Sequence, residues 1–182
     1  MIGLAANFHN RSGFCLLSEH LAYCQYRAGL VRKPMISAGF QFRLLTIGDY
    51  DSLVEALLWQ EGVGMSGSDS VDGVAKFLAR NPGMSFVADA EGMLAGCVLG
   101  GHDGRRGYLY HVSVSPQFRR RGVARGLVAR TVAAIAAEGI EKIHIDVFAD
   151  NGAGLEFWRA IGWHDRDELK RFSFTPPLRR NS

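Results

Sequence analysis

The order of residues between positions 107 and 139, GYLYHVSVSPQFRRRGVARGLVARTVAAIAAEG, leaves few choices of local structure. Residues 108–114 are rich in β-branched and aromatic side chains and predict a strand, Pro116 marks a turn, and an amphipathic helix is expected from about Val123. A helix start leaves its first backbone N–H groups without partners and carries a partial positive charge, so an anion placed there is held by both. Gly122 lets the backbone come close to a ligand, and Ala124 keeps the next turn small. Arg119, Arg120, Arg121 and Arg125 add guanidinium groups around the same point, and their planar fork can bond two phosphate oxygens at once. These residues alone leave two readings open: a cradle for a phosphorylated ligand, or a strand-to-helix connection with solvated arginines.

The spacing favours the cradle. Arg119-x-x-Gly122-x-Ala124, directly after Val112-Ser113-Val114, resembles the pyrophosphate-binding signature of the GNAT superfamily, the acyl-coenzyme A dependent N-acyltransferases. It is neither a P-loop, which ends in Gly-Lys-Ser/Thr, nor a three-glycine dinucleotide fingerprint. The resemblance runs over about 130 residues, 42–174, and includes residues 151–163, which are similar to the family's C-terminal helix and closing strand. It implies an α/β (α+β) domain with a mixed, mostly antiparallel sheet, one splayed parallel strand pair and helices on both faces. The implied boundaries are an N-terminal extension over 1–39, an acetyltransferase domain over 40–176 and a tail over 177–182. The implied acyl donor is acetyl-CoA, held by Val112, Ser113, Val114, Arg119, Arg120, Arg121, Gly122, Val123, Ala124 and Arg125, with Asn151 and Trp158 further along the chain.

Composition agrees with one enzyme-sized domain. The chain has 182 residues, enough for a full core and short for two domains, and its 47% apolar fraction argues against a disordered or collagenous chain. A net charge of +3 is small, and much of the positive charge sits in the arginine loop and at Lys170, Arg171, Arg179 and Arg180, so a local anion site is expected and a nucleic-acid face is not. No apolar run reaches the roughly 18 residues of a membrane helix, and residues 1–34 lack the pattern of a secretory leader, so a soluble, cytoplasmic protein without a membrane partner is expected. Cys15, Cys24 and Cys97 and the six histidines show no metal-ligand spacing, and no metal is expected. A homodimer is left open.

Residues 1–34 show no clear period and are read as an upstream extension, with Met35 as an alternative start. Residues 41–46 alternate like a strand, and Asp49 is expected to cap a helix with Leu53, Val54, Leu57 and Leu58 on one face. The glycine- and serine-rich residues 62–70 predict a loop. Ser70 or Asp69 then caps a second helix with Val74, Phe77 and Leu78 inward, stopped by Asn81-Pro82-Gly83. The family resemblance makes this region one wall of the acceptor site and points to Trp59, Glu61 and Met65 as acceptor contacts; a core Trp59 in a plain connector is the alternative. Residues 85–90 and 93–100 predict a hairpin through Glu91-Gly92. His102 and Asp103 are read as a turn or as the acceptor mouth. A strand over 140–148, following the helix, implies a parallel crossover beside residues 108–114, and Phe172 and Phe174 alternate as in a further strand.

The expected reaction is acetyl transfer to a primary amine, on a small molecule or on a peptide or protein, by direct attack in a ternary complex. An alkylamine of pKa ~10.4 must lose a proton before it attacks, so a base is needed. The resemblance points to Asp146 as that base or as a water-orienter, to Tyr108 and Tyr110 as bases or water-holding groups, and to backbone N–H groups around Val112 as partners of the oxyanion. His111 is expected to point to the opposite strand face. Where the family frequently has an acidic tyrosine seven residues after the asparagine, this chain has Trp158, whose indole cannot give up a proton at usable pH. Two other readings stay open: a coenzyme A binding or sensing domain without turnover, and a nucleotide-binding module.

Overall fold

The computed structural model describes residues 39–58 and 66–176. These divide into two compact units at Asp146/Val147. In the first, β1 (Gln41–Leu44), α1 (Tyr50–Leu58), α2 (Val71–Arg80), β2 (Phe86–Ala90), β3 (Met93–His102), β4 (Gly107–Val114), α3 (Val123–Ala137) and β5 (Ile143–His144) follow one another, with short 3-10 turns at Ile47–Asp49, Gly67–Asp69 and Pro116–Phe118. The sheet order is β1-β2-β3-β4-β5, antiparallel up to β4 and parallel between β4 and β5. This is the mixed sheet with one parallel pair that the sequence implies. Among the described residues no helix is long and apolar enough to cross a membrane.

Turn chemistry explains the antiparallel part. Glu91 and Gly92 both take positive φ (52° and 79°), as a two-residue hairpin turn between twisted strands requires. Asp103 Oδ1 accepts from the amides of Arg105 (2.8 Å) and Arg106 (2.7 Å), which closes the β3–β4 connection and assigns Asp103 to turn formation. Asp49 does not cap α1 directly. It lies in the preceding turn, accepts from Thr46 N (2.8 Å) and Thr46 Oγ1 (2.9 Å), and pairs with Arg43. Ser70 caps α2 by accepting from Gly73 N at 3.2 Å.

Strand alternation distributes the side chains between two faces. On one, Leu45, Leu53, Val74, Val87 and Cys97 form a buried cluster with Tyr50, Leu78 and Leu94 against it, so α1 and α2 cover this face. On the other, α3 buries Val123, Leu127, Thr131 and Ile135. It lies so near that a Cβ on Gly100 of β3 would stand 2.3 Å from Thr131 Cγ2 and 2.4 Å from Met84 O. Helices therefore pack on both faces.

Two expected strands differ. The strand expected over 140–148 pairs only at Gly107↔Ile143 and Tyr108↔His144, after which β5 leaves the ladder. No strand forms over residues 164–176, and Phe172 and Phe174 are exposed; alternation of side chains makes a strand only where a ladder partner is present. In the second unit α4 (Gly152–Ala160) is capped by Asn151, whose Oδ1 accepts from Gly154 N at 2.9 Å. Trp158 is buried there against Trp163 and Phe157, with ring centroids 4.6 and 5.1 Å away.

Candidate functional site

The loop after β4 is built from two residues in the left-handed region, Arg120 (φ 63°) and Gly122 (φ 87°, ψ 0°). Gly122 is the N-cap of α3. The first bond of the helix runs from Gly126 N to Gly122 O at 3.0 Å, so the amides of Val123, Ala124 and Arg125 find no acceptor within the helix. Positive φ at Gly122 costs nothing for want of a Cβ and turns the chain sharply from loop to helix. The arginines are not equivalent. Arg119 Nε donates to Val114 O at 3.4 Å, tying the loop to the strand end. Arg121 lies over the rings of Phe40 (4.8 Å) and Phe118 (5.5 Å), which pack edge to face.

Upstream of the loop, β4 carries a bulge. Cys97 pairs with Ser113 and Leu99 with Tyr110, so Val98 of β3 faces both His111 and Val112. His111 takes φ 50°, and Cys97 Sγ donates to its carbonyl at 3.6 Å. An extra residue breaks the two-residue alternation, which overturns the expectation that His111 points away from the tyrosines. Tyr110 packs edge to face on Phe77 of α2 at 5.7 Å, and His111 Nε2 reaches Asp69 Oδ1, in the turn before α2, at 3.0 Å. Both side chains therefore stand on the α2 side.

This face gathers a polar cluster. Tyr108 and Tyr110 stack at 6.2 Å, and His144 of β5 lies 5.8 Å from Tyr108. Asp69, 7% exposed, accepts from Ser66 N (2.8 Å), Ser66 Oγ (2.7 Å) and His111. Its burial disfavours the charged form, but the donors of Ser66 and the nearby imidazole outweigh that and hold the carboxyl below the usual carboxylate range. Cys97 behaves oppositely. Full burial pushes its thiol up to about 12, which suits a core side chain and not a nucleophile.

The expected site residues thus fall in several places. Tyr108, Tyr110 and half-buried Val112 lie along β4, Ser113 is buried and Val114 ends the strand. Asp146 is exposed, two residues beyond the β5 ladder. Asn151 and Trp158 belong to the second unit, where one spends its carbonyl oxygen on the α4 cap and the other is packed. Trp59, Glu61 and Met65 lie outside the described residues. The sequence reading missed the pairing of Asp69, seen only as a cap, with His111. Ser66-x-x-Asp69 was legible as a capping box, but nothing in the sequence announces the bulge. An open depression of about 670 Å³ is lined by Gly39, Phe40, Gln41, Arg43, Asp89, Glu91 and Gly92, none of which belongs to the expected site.

Comparison with known proteins adds a separate line of support. Residues 52–163 match the model of the acetyltransferase (GNAT) family. An acetyltransferase of Pectobacterium atrosepticum is 30% identical over 128 residues, covering 70% of this chain and 89% of that protein. Among solved structures, an aminoglycoside acetyltransferase from an uncultured soil metagenomic sample, in complex with sisomicin, superposes with a TM-score of 0.62 at 16% identity, over 78% of this chain and 99% of that one. An N-acetyltransferase of Thermoplasma acidophilum in complex with coenzyme A gives 0.62 at 16% identity, over 70% and 91%.

Proposed function

This chain belongs to the acetyltransferase (GNAT) family and is an acyltransferase, and we propose that it moves acetyl from acetyl-CoA to a primary amine, on a small molecule or on a peptide or protein, by direct attack in a ternary complex. The observation that carries this reading is the start of α3, where three amides without helical acceptors follow a left-handed glycine among arginines. Such a start fits a diphosphate, which needs several donors at one point and a favourable field. Arg119, Arg120 and Arg125 supply charge, while Arg121, held by Phe40 and Phe118, braces the loop. Residues 40–176 form the catalytic domain in this reading, acting in the cytoplasm, with 1–39 as an extension and 177–182 as a tail.

When bound, acetyl-CoA supplies an activated carbonyl carbon and a sulfur leaving group. The Val112 amide, beside the bulge, donates to the carbonyl oxygen as it gains charge. Tyr108 and Tyr110 hold water for the incoming amine, and Asp146 orients that water or draws in the cationic amine. The family resemblance assigns Asn151 and Trp158 to coenzyme binding and Trp59, Glu61 and Met65 to the acceptor. Trp158 cannot protonate sulfur, but a thiol of pKa ~8.5 leaves readily as thiolate. The coenzyme A complex and the sisomicin complex of the two structural relatives support a coenzyme-dependent reaction on amines. Calorimetry with acetyl-CoA, followed by thiol release with sisomicin, n-butylamine and a peptide with a free N-terminus, tests it. No heat with acetyl-CoA would refute the cradle, and binding without thiol release from any amine would refute the amine class.

A further inference from the structure

We propose that His111 is the group that takes the proton from the attacking amine, and that Asp69 is its positioning residue. The proposal rests on the acetyl-transfer reading of this site and names a proton acceptor that neither the loop nor the strand pattern indicates. His111 is turned to the α2 side by the bulge, one residue before the Val112 amide, and its side chain keeps 20% of its surface exposed. Its Nε2 lies 3.0 Å from Asp69 Oδ1. A carboxylate can only accept, so Nε2 carries the hydrogen and Nδ1 carries the lone pair. Among the described residues Nδ1 has no partner.

Asp69 is fixed from three directions besides the imidazole: Ser66 N and Oγ bond its carboxylate, and Tyr50 Oη donates to its backbone carbonyl at 2.9 Å. A held carboxylate that keeps its charge sets the ring orientation and stabilises the imidazolium once formed. The same face presents Tyr108, Tyr110 and His144, and Cys97 approaches the His111 carbonyl from β3. Asp69 is the carboxylate bonded to the ring.

In the step, the neutral amine nitrogen forms a bond to the carbonyl carbon and the C–S bond breaks. Sulfur leaves with the electron pair. The proton shed by nitrogen goes to His111 Nδ1 and from there to the thiolate, so that amide and free thiol are the products and the imidazole is regenerated neutral.

The test measures kcat at saturating amine across pH, so that protonation of the free amine drops out, with acetyl-CoA affinity measured on the same samples. His111→Gln, which still offers an amide donor to Asp69, should lower kcat about a hundredfold and remove the fall of activity on the acid side, with acetyl-CoA affinity within twofold. Asp69→Asn should lower kcat less, about tenfold, because the imidazolium formed in the step loses its counter-charge, again with acetyl-CoA affinity within twofold. Asp146→Asn should lower turnover yet keep the limb. Retention of rate and limb in His111→Gln, or loss of the limb in Asp146→Asn alone, overturns the proposal and leaves acetyl transfer standing. Absence of thiol release in the unmodified protein removes both. If His111→Gln does not fold, Asp69→Asn decides: an undiminished kcat there overturns the proposal.

Discussion

Replacing Gly122 by alanine separates backbone strain from ligand binding when Gly139→Ala is made beside it. Both glycines have positive φ, 87° and 77°, one before α3 and one after it. A Cβ at Gly139 would meet nothing within 4 Å, so that variant reports strain alone. A β-carbon in the left-handed region costs roughly 1–2 kcal/mol, and the stiffer unfolded chain returns about 0.4–1 kcal/mol. Each variant should therefore lose about 1 kcal/mol of stability, or roughly 2–4 °C in melting temperature for a chain of this size. Only Gly122 aims amides. Rotating one away from a phosphate removes a charge-assisted hydrogen bond of roughly 1.5–3 kcal/mol, a rise in Kd for acetyl-CoA of about ten- to a hundredfold. Thermal melts and isothermal calorimetry on the two variants provide the comparison. Equal Kd values in Gly122→Ala and Gly139→Ala would refute the reasoning, since the turn before α3 would then be a connection and nothing more.

Arg121→Ala should destabilise the protein by roughly 0.5–1 kcal/mol through loss of its ring contacts while leaving acetyl-CoA affinity within about threefold; an affinity loss matching that of Arg120→Ala would show that the guanidinium serves the ligand. Thr131 is fully buried, and its Oγ1 has no hydrogen-bond partner among the described residues. Thr131→Val should raise stability by about 1 kcal/mol, seen as a higher urea midpoint, and an unchanged or lower midpoint would mean that the hydroxyl is satisfied. Asp49 is held below the usual carboxylate range first by its hydrogen bond from Arg43, with Thr46 adding donors against the cost of burial, and Asp69 is lowered as well. Folded values below the unfolded ~3.9 contribute stability that is present above that pH and lost as pH falls through the folded values. Asp49→Asn should thus lower the urea midpoint at pH 6 and narrow its gap to the unmodified protein below about pH 4. A gap that stays constant with pH would refute the pairing.

Most of the fold was legible because its rules are local. The Glu91-Gly92 hairpin, the cap at Ser70, the apolar stripe of α3 and the crossover to β5 each follow from a few adjacent residues. Phe172 and Phe174 show the limit: alternation describes which side a residue would take in a strand, not whether a neighbouring strand is present to pair with it. Asp49 shows a second limit, since the residue that resembled a cap for α1 instead closes the preceding turn onto Thr46 and binds Arg43 across the β1 end. For the site, the arginine spacing and Gly122 were visible, whereas the distribution of roles among the arginines was not. Whether a guanidinium faces a ligand or a ring depends on Phe40 and Phe118, which are distant from each other in sequence.

The misreading of His111 has a backbone signature. Among the described residues three non-glycine residues take positive φ: Glu91, His111 and Arg120. Glu91 is explained by its hairpin turn, which needs that conformation. Arg120 likewise lies in a turn, the one before α3, whereas His111 lies within a strand, in the bulge of β4. Left-handed backbone at a residue with a side chain persists only where its surroundings impose it. At His111 those surroundings are the thiol of Cys97 on its carbonyl and Asp69 on its ring, both supplied from elsewhere in the chain. A rule based on strand alternation had to fail at that residue, because the bond to Asp69 spans 42 positions. The side chain it turned round is the one proposed above as the proton acceptor, and a functional residue is where a chain consistent elsewhere is expected to depart from local preference.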